Sequence, residues 1–318
     1  MTIRVLGVPT SAGSHHCGQE QAPRRLRQAG LVSGLRQRGI PVIDEGDLPM
    51  ERYRSMGIGT AARDLDRVIA VVRATAVRMG EILRRGDIPL VLGGDCTVTI
   101  GAVAAIVAQE PDAGLVYFDG DADLNTPGSG SGVLDATVLT HLLGRGSEAL
   151  AHAGTRCPLL DEGHVVLVEF HPSELSVDDD AWPKASDVLT FPATTIGRDH
   201  VRTARTAVAA LRRRAGRYLV HFDVDVIDSG DLALANFPHF NGGLSATEAF
   251  DCLRVFIATA GFAGLVVTEV NPGHDPDGDL LADFAASLGE VLASAAATWH
   301  DTPPGGVSPH GNGGRGGT

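Results

Sequence analysis

Short, nearly continuous apolar runs alternate along the chain with longer segments in which apolar residues recur at helical spacing. The short runs predict β-strands buried on both faces, and they lie at residues 3–8, 40–43, 88–94, 114–119, 164–170, 187–191, 217–223 and 264–270. Helical periodicity predicts helices near residues 20–39, 57–85, 98–109, 202–215, 245–259 and 279–298. This alternation predicts an α/β fold with a central, mostly parallel sheet and helices on both faces.

The chain has 318 residues, a length that a single α/β domain commonly reaches. It contains no internal repeat and no clear linker, so residues 1–300 are expected to form one catalytic domain. Residues 301–318 are rich in Gly and Pro. A segment of that composition buries too little apolar surface to fold alone, and we expect a disordered tail.

Charge and composition exclude several classes of partner. The formal net charge is −13, which argues against binding to nucleic acid or to an anionic membrane surface. No apolar run approaches the ~20 residues of a membrane-spanning helix, and the N-terminus resembles a strand rather than a signal peptide. The four cysteines, at positions 17, 96, 157 and 252, form no CxxC pair. This pattern is typical of a reducing cytoplasm, where we expect the protein to be located.

Polar residues cluster where four of the predicted strands end, in the motifs "GGDCT", "DGDADLN", "HFDVDVID" and "TEVNP". Ligands of open parallel sheets bind at that edge. Side chains alternate along a strand, so Asp119, Asp121 and Asp123 can share one face. A single DxD is usually a solvated turn or a helix cap. Two carboxylate clusters at buried strand ends would be destabilising unless divalent cations such as Mn²⁺ or Mg²⁺ neutralised them.

The motifs "LGGDCTVTIGAV", "YFDGDADLNTP", "HFDVDVID" and "TEVNP", in this order, resemble the signature blocks of the arginase/agmatinase (ureohydrolase) family. The resemblance covers about residues 3–295. It implies a three-layer α/β/α sandwich, two Mn²⁺ ions, and activated water that attacks a guanidinium carbon and releases urea or a relative. It also implies a homo-oligomer, a trimer or hexamer.

The same resemblance implies roles for individual residues. The positions that match metal ligands are Cys96, Asp119, Asp121, Asp123, Asp223 and Asp225. Asp123 would also guide the proton of the attacking water. Glu269 matches the carboxylate that pairs with the substrate guanidinium, and Asn125 and Ser131 match contacts to the amino-acid end of the substrate.

Two of these positions depart from the family pattern, because Cys96 and Asp121 stand where the family has histidine ligands. Five carboxylates and a thiolate sum to about −6 against +4 from two divalent ions, by formal charges at neutral pH. Such a shell makes bound water a weaker acid than the ~7 pKa of efficient sites, and a thiolate favours Zn²⁺ or Fe²⁺. A different metal, a single metal and a loss of hydrolysis all stay open, as does a plain packing role for Cys96.

Further departures concern the substrate. Asp135 stands where arginases have a histidine thought to shuttle protons, and His171 stands where an aspartate would bind the α-ammonium group. Both are candidate acids for the leaving group. An imidazole cannot replace the carboxylate, so we expect a guanidino acid, an N-hydroxyguanidine or another amidine or amide rather than free L-arginine.

The sequence therefore predicts a metal-dependent hydrolase that cleaves a C–N bond of a small guanidino or amidino compound. An inactive or altered arginase-fold protein with a regulatory, binding or scaffold role is the alternative, and an iron enzyme of different chemistry is a third hypothesis. The roles of His15, His16 and His221 stay open at this stage. His221 is predicted either as a partner of the ligands, as a substitute ligand, or as an ordinary buried histidine.

Overall fold

A computed structural model of the chain describes residues 1–54, 62–126, 132–172, 175, 186–197, 199–240 and 242–299. Its centre is a sheet of eight strands, namely β1 (Ile3–Gly7), β2 (Val42–Asp47), β3 (Ile88–Leu92), β4 (Gly114–Asp119), β5 (Val165–Glu169), β6 (Leu189–Pro192), β7 (Tyr218–Asp223) and β8 (Phe262–Thr268). Every neighbouring pair in the sheet is parallel. The predicted parallel sheet is therefore confirmed, with each predicted strand present.

Among the strands, the largest boundary error falls on the edge strand β2. The prediction covered residues 40–43, whereas the strand is Val42–Asp47, and most of its side chains are partly or fully exposed. An edge strand has only one neighbour, here β1, so its second half remains polar. Apolar periodicity cannot detect such a strand end.

The helices that the structure describes are α1 (Ala22–Gln28), α2 (Leu31–Gln37), α3 (Leu65–Arg84), α4 (Val98–Val107), α5 (Val138–Leu142), α6 (Glu148–Ala151), α7 (Ala193–Ile196), α8 (His200–Arg212), α9 (Ala246–Ala258) and α10 (Asp279–Ala296). The helix predicted over 20–39 is in fact two, because Gly30 between them has a left-handed φ of 95°. The helix predicted over 57–85 begins only at Leu65, and residues 55–61 lie outside the described part of the chain. The short helices α5, α6 and α7 were not predicted. Within the described residues, no helix has both the length and the apolar character needed to cross a membrane.

Two apolar cores lie on opposite faces of the sheet. Val116 and Phe118 on β4 pack into the core formed with α1, α2 and α7 to α10. Leu115 and Tyr117 on the same strand pack into the core formed with α3 to α6. This alternation along one strand confirms the three-layer α/β/α sandwich, in which β3, β4, β5, β7 and β8 are buried on both faces.

The strand order places the four polar motifs side by side. The order across the sheet is β2-β1-β3-β8-β7-β4-β5-β6, so the four motif-bearing strands β3, β8, β7 and β4 are consecutive. Because all strands are parallel, their carboxyl ends meet at one edge at the middle of the sheet. The motifs, although spread over more than half of the sequence, therefore share one location.

Candidate metal centre

A cavity of about 420 Å³ opens at this edge of the sheet. Its lining contains every candidate site residue that the structure describes, namely Cys96, Asp119, Asp121, Asp123, Asn125, Asp135, His171, Asp223, Asp225 and Glu269. Ser131, the remaining predicted substrate contact, lies outside the described residues. One concave site thus brings together the residues that the motifs suggested separately.

The first group of candidate ligands is fully buried and comprises Cys96, Asp119, His221 and Asp223. One potential ligand atom from each lies within 4.8 Å of the others. The Cys96 thiol donates to Oδ2 of Asp223 at 2.8 Å. Burial raises the pKa of this thiol well above its usual value, and the nearby carboxylates raise it further. Without a metal the sulfur therefore remains a thiol, and a bound cation would have to displace its proton.

His221 has both ring nitrogens engaged inside this group. Its Nε2 lies 3.0 Å from Oδ2 of Asp119, and its Nδ1 lies 2.7 Å from the hydroxyl of Thr99. The ring stacks on Tyr117 with 4.1 Å between centroids. Burial lowers the pKa of His221 to about 3, so the imidazole is neutral. A neutral ring that donates to Asp119 and accepts from Thr99 satisfies both contacts, and His221 therefore holds Asp119 in orientation.

The second group comprises Asp121, Asp225 and His239, again with one potential ligand atom from each within 4.8 Å of the others. Nε2 of His239 lies 3.3 Å from Oδ2 of Asp225 and 3.7 Å from Oδ2 of Asp121. Burial favours the protonated form of Asp225, but the hydrogen bond and charge of His239 and the Gly120 N–H outweigh it, so the pKa of Asp225 is lowered. His239 was not predicted to belong to the site.

Asp123 lines the same cavity and accepts a hydrogen bond from a tyrosine. The hydroxyl of Tyr117 donates to its Oδ2, and the residue has a φ of 49°, in the left-handed region that Asp tolerates. Burial raises the pKa of Asp123 well above its usual value, even though the Tyr117 hydrogen bond opposes that shift. Asp123 lines the cavity without belonging to either ligand group.

Glu269 follows β8 and faces the same cavity. Its Oε1 accepts from the backbone N–H of Cys96 at 3.2 Å, and its Oε2 accepts from the side-chain amide of Gln19 at 3.3 Å. The peptide N–H of Glu269 also donates to Gly94, so β3 and β8 jointly fix this carboxylate. Gln19, which belongs to the loop between β1 and α1, was not predicted as a site residue.

The outer part of the cavity carries the predicted substrate-end residues. Burial and the nearby Asp95 raise the pKa of Asp135 to about 8. His171 lies with its Nε2 3.4 Å from Oε1 of Glu169. His15 lines the cavity, its ring 5.8 Å from that of Phe237, whereas the ring of His16 lies 6.5 Å from that of Tyr53.

The donor set suits a divalent cation. Burial raises the pKa values of Asp119, Asp223 and Glu269 well above their usual values. Neighbouring carboxylates raise them further, chiefly Asp225 for the two aspartates and Asp135 for Glu269. A cation would relieve that repulsion and allow the carboxylates to ionise. Carboxylates with one thiol and one imidazole fit Mn²⁺, Fe²⁺ or Zn²⁺ better than Ca²⁺ or Mg²⁺, which prefer oxygen alone.

Sequence reasoning missed His239 and Gln19 because both reach the site through loops. It missed Tyr117 because that residue belongs to the apolar run of the buried strand β4. His239 lies in a loop that leaves the carboxyl end of β7, and Gln19 lies in the loop that follows β1. Loops at that edge are where ligand contacts are expected. The position of His239 in such a loop was the available signal. The same loop contains several other polar residues, and the sequence gives no reason to prefer His239 over them.

Comparisons with known proteins find relatives of the whole chain. A family model described as "Arginase family" matches residues 1–294. The arginase of Bacillus caldovelox is 26% identical over 295 residues, which are 91% of this chain and 97% of that protein. Its native structure at pH 5.6 superposes with a TM-score of 0.81 and 25% identity, covering 92% of this chain and 98% of the other. A formimidoylglutamase from Bacillus subtilis has a TM-score of 0.74 at 19% identity, with 95% and 88% of the two chains covered.

Proposed function

The chain belongs to the arginase family, and from that premise we propose that it hydrolyses a C–N bond of a small guanidino or amidino compound with the help of divalent metal. The convergence of Cys96, Asp119, Asp121, Asp223 and Asp225 around one cavity supports the proposal. Divalent ions held in such a site lower the pKa of water and polarise the group under attack.

We propose that Glu269 binds the cationic part of the substrate. Its carboxylate lies in the same cavity as the metal-binding candidates, and the Cys96 N–H and the Gln19 amide hold it in place. A guanidinium or amidinium ion is planar and pairs well with a carboxylate. Pairing there would orient the carbon of the substrate towards the metal-binding carboxylates.

Asp135 is the candidate that would donate a proton to the leaving amine. A carboxyl group with a pKa of about 8 stays protonated at neutral pH, so it can act where arginases are thought to use an imidazole. Bound cations would lower this pKa, and that would bring it closer to neutrality. Asp123, whose carboxylate accepts from Tyr117, is the candidate that would receive a proton from water.

We propose that free L-arginine is not the preferred substrate. His171, in contact with Glu169, and His15, next to Phe237, line its outer part. Imidazoles can donate a hydrogen bond to a carboxylate, but they offer no negative charge to an α-ammonium group. We therefore propose a guanidino acid, an N-hydroxyguanidine or another amidine as the substrate class, with Asn125 and Ser131 as further contacts.

Metal loading followed by a substrate panel tests the proposal. Chelator-treated protein is reloaded with Mn²⁺, Fe²⁺ or Zn²⁺, its metal content is measured, and L-arginine, agmatine, N-hydroxy-L-arginine and guanidino acids are assayed for urea or amide release. We expect turnover of at least one compound other than L-arginine, and a loss of that turnover in Asp123→Asn.

The control outcomes separate the alternatives. Absence of metal above trace amounts under every loading would refute the metal-dependent hydrolase. Metal retention without turnover of any compound would instead favour a binding or scaffold role. L-arginine as the best substrate would show that the interpretation of His171 is wrong.

A further inference from the structure

His239 lies where a second histidine ligand would be useful. In this family the position of Asp121 is expected to carry a histidine, and this chain has a carboxylate there. The imidazole of His239 comes from a different loop and approaches the same place, with Nε2 3.7 Å from Asp121 and 3.3 Å from Asp225. Only 5% of its side chain is exposed, so it is part of the cavity wall rather than a surface residue.

The loop that carries His239 is held in a defined position. The N–H of His239 donates to the hydroxyl of Ser229 at 3.2 Å, and its C=O accepts from the N–H of Ser229 at 2.8 Å. Ala235 forms a bridge with Val270, and the N–H of Asn236 donates to the C=O of Glu269. The loop is therefore attached at two places, to the segment that follows β7 and to the segment that follows β8. Such fixation provides the preorganisation that a metal ligand needs.

Charge balance favours an imidazole at this point. The site already contains five candidate carboxylates and the Cys96 thiol, so another anionic donor would increase the repulsion among them. Neutral imidazole adds a strong ligand for Mn²⁺, Fe²⁺ or Zn²⁺ without adding negative charge. His239 thus supplies the imidazole ligand that position 121 lacks, and it adds no further negative charge to the site.

We propose that His239, together with Asp121 and Asp225, binds the second divalent ion of the centre, a role that rests on the proposed metal-dependent function. Cys96, Asp119 and Asp223 bind the first ion. The two positions then differ chemically, since one has a sulfur ligand and the other has an imidazole ligand. His221 binds neither ion, because Thr99 and Asp119 occupy its two nitrogens.

X-ray absorption of zinc-loaded protein measures this asymmetry directly. Zn–S distances of about 2.3 Å and Zn–N distances of about 2.0–2.1 Å are resolved from each other, and a bound imidazole adds its own outer-shell scattering. Wild-type protein is expected to bind two Zn²⁺ per chain and to show both sulfur and imidazole scattering. His239→Ala is expected to lose the imidazole signal, to keep the sulfur signal, and to bind one Zn²⁺.

Variants control for folding and for loss of a nearby histidine. His239→Gln keeps a polar side chain of similar reach, and circular dichroism of both His239 variants checks that they fold. His15→Ala removes an imidazole that lines the same cavity and also packs on Phe237, and it should keep two ions and the imidazole signal. Loss of His239 should lower the affinity for the second ion by more than about 100-fold. Loss of a residue that only hydrogen-bonds to a ligand costs at most about 100-fold in metal affinity.

Other results would overturn the role of His239. Two ions and an unchanged imidazole signal in folded His239→Ala would assign the imidazole to another histidine. One ion in wild-type protein, with sulfur but no imidazole scattering, would mean that His239 serves as a counter-charge to Asp121 and Asp225 instead of a ligand. Both results would leave the proposed hydrolase intact. Absence of any bound metal would refute the proposed hydrolase and the role of His239 together.

Discussion

At the residue scale, Cys96 contacts two carboxylates. Its sulfur lies 2.8 Å from an oxygen of Asp223, and its backbone N–H donates to the carboxylate of Glu269. The thiol is 100 residues or more from both carboxylates in sequence, yet it lies between the candidate metal group and the proposed substrate carboxylate. A packing role alone would not require that contact. The residue at this position is therefore expected to set which metal the centre prefers.

Cys96→His should shift the preference from Zn²⁺ towards Mn²⁺, because a thiolate favours softer ions and an imidazole binds both. Competition between Mn²⁺ and Zn²⁺, followed by elemental analysis, should show the bound Mn²⁺ to Zn²⁺ ratio rising by about tenfold or more. Cys252→Ala is the matched control, since Cys252 is also a buried free thiol but contacts a backbone C=O in another part of the core. An unchanged ratio in Cys96→His would return Cys96 to a packing role.

Glu269→Gln tests the second residue-scale assignment. Removing the charge from one member of a buried ion pair costs about 2–5 kcal/mol, so kcat/KM for a cationic substrate should fall at least ~30-fold. Metal content should stay unchanged. Asp275→Asn is the control, because Asp275 is also a buried acid but accepts from backbone N–H groups at the start of α10. It should lower the melting temperature and leave kcat/KM unchanged; a Glu269→Gln enzyme of normal kcat/KM would contradict the assignment.

At the element scale, the sequence predicted what continuous apolar runs can reveal. Strands β3, β4, β5, β7 and β8 are buried throughout, so their sequences carry the full apolar signal, and each was predicted within two residues at either end. The break at Gly30 was missed because a left-handed glycine leaves the apolar periodicity unchanged. Short helices such as α5, with five residues, are too short for periodicity to identify.

The candidate site was predictable only where it follows directly from strand ends. Asp119 and Asp223 end their strands, and Glu269 follows β8 directly. Cys96 lies in the turn after β3, so sheet topology brings all four together. His239 and Gln19 reach the cavity through loops. The paths of those loops depend on hydrogen bonds such as that between Ser229 and His239, which no local pattern in the sequence encodes.

The turn after β3 depends on Gly94, because two other segments of backbone pack closely against it. A Cβ on Gly94 would lie 1.7 Å from the C=O of Thr10, in the loop after β1, and the C=O of Gly94 accepts from Glu269 after β8. Gly94→Ala should therefore push the β1 loop and the Glu269 backbone apart. Such overpacking costs about 1–3 kcal/mol, which chemical denaturation measures as a fall in unfolding free energy.

The same variant should lose metal affinity, because Asp95 and Cys96 follow Gly94 directly. Gly216→Ala is the matched control, since a Cβ there meets nothing within 4 Å and the residue needs no left-handed conformation. It should change the unfolding free energy by less than about 0.5 kcal/mol. Equal stability of the two variants would show that the turn adapts more easily than its contacts suggest.

At the scale of the whole molecule, the central sheet order concentrates acids from four strands at one edge. This arrangement suits a metal enzyme but costs stability when the metal is removed. Folding of the apoprotein raises the pKa values of Asp119, Asp123, Asp223 and Glu269 well above those of the unfolded chain, first through burial. The pH dependence of stability should therefore reveal the site even before a substrate is known.

Above about pH 7 the apoprotein should lose stability as the pH rises. Carboxyls with raised pKa values bind protons more tightly in the folded protein than in the unfolded chain. Asp135, for example, has a pKa of about 8 in the folded protein. Loss of these protons as the pH rises therefore disfavours folding. Buried His221, with its pKa lowered to about 3 from 6.5, acts in the opposite direction but only below about pH 6.5. The melting temperature of chelated protein should fall between pH 7 and 8.5, and the gap to metal-loaded protein should widen, because fewer protons then compete with the metal. Asp135→Asn should show a shallower fall, and an apoprotein melting temperature that rises over this range would contradict the raised carboxyl pKa values.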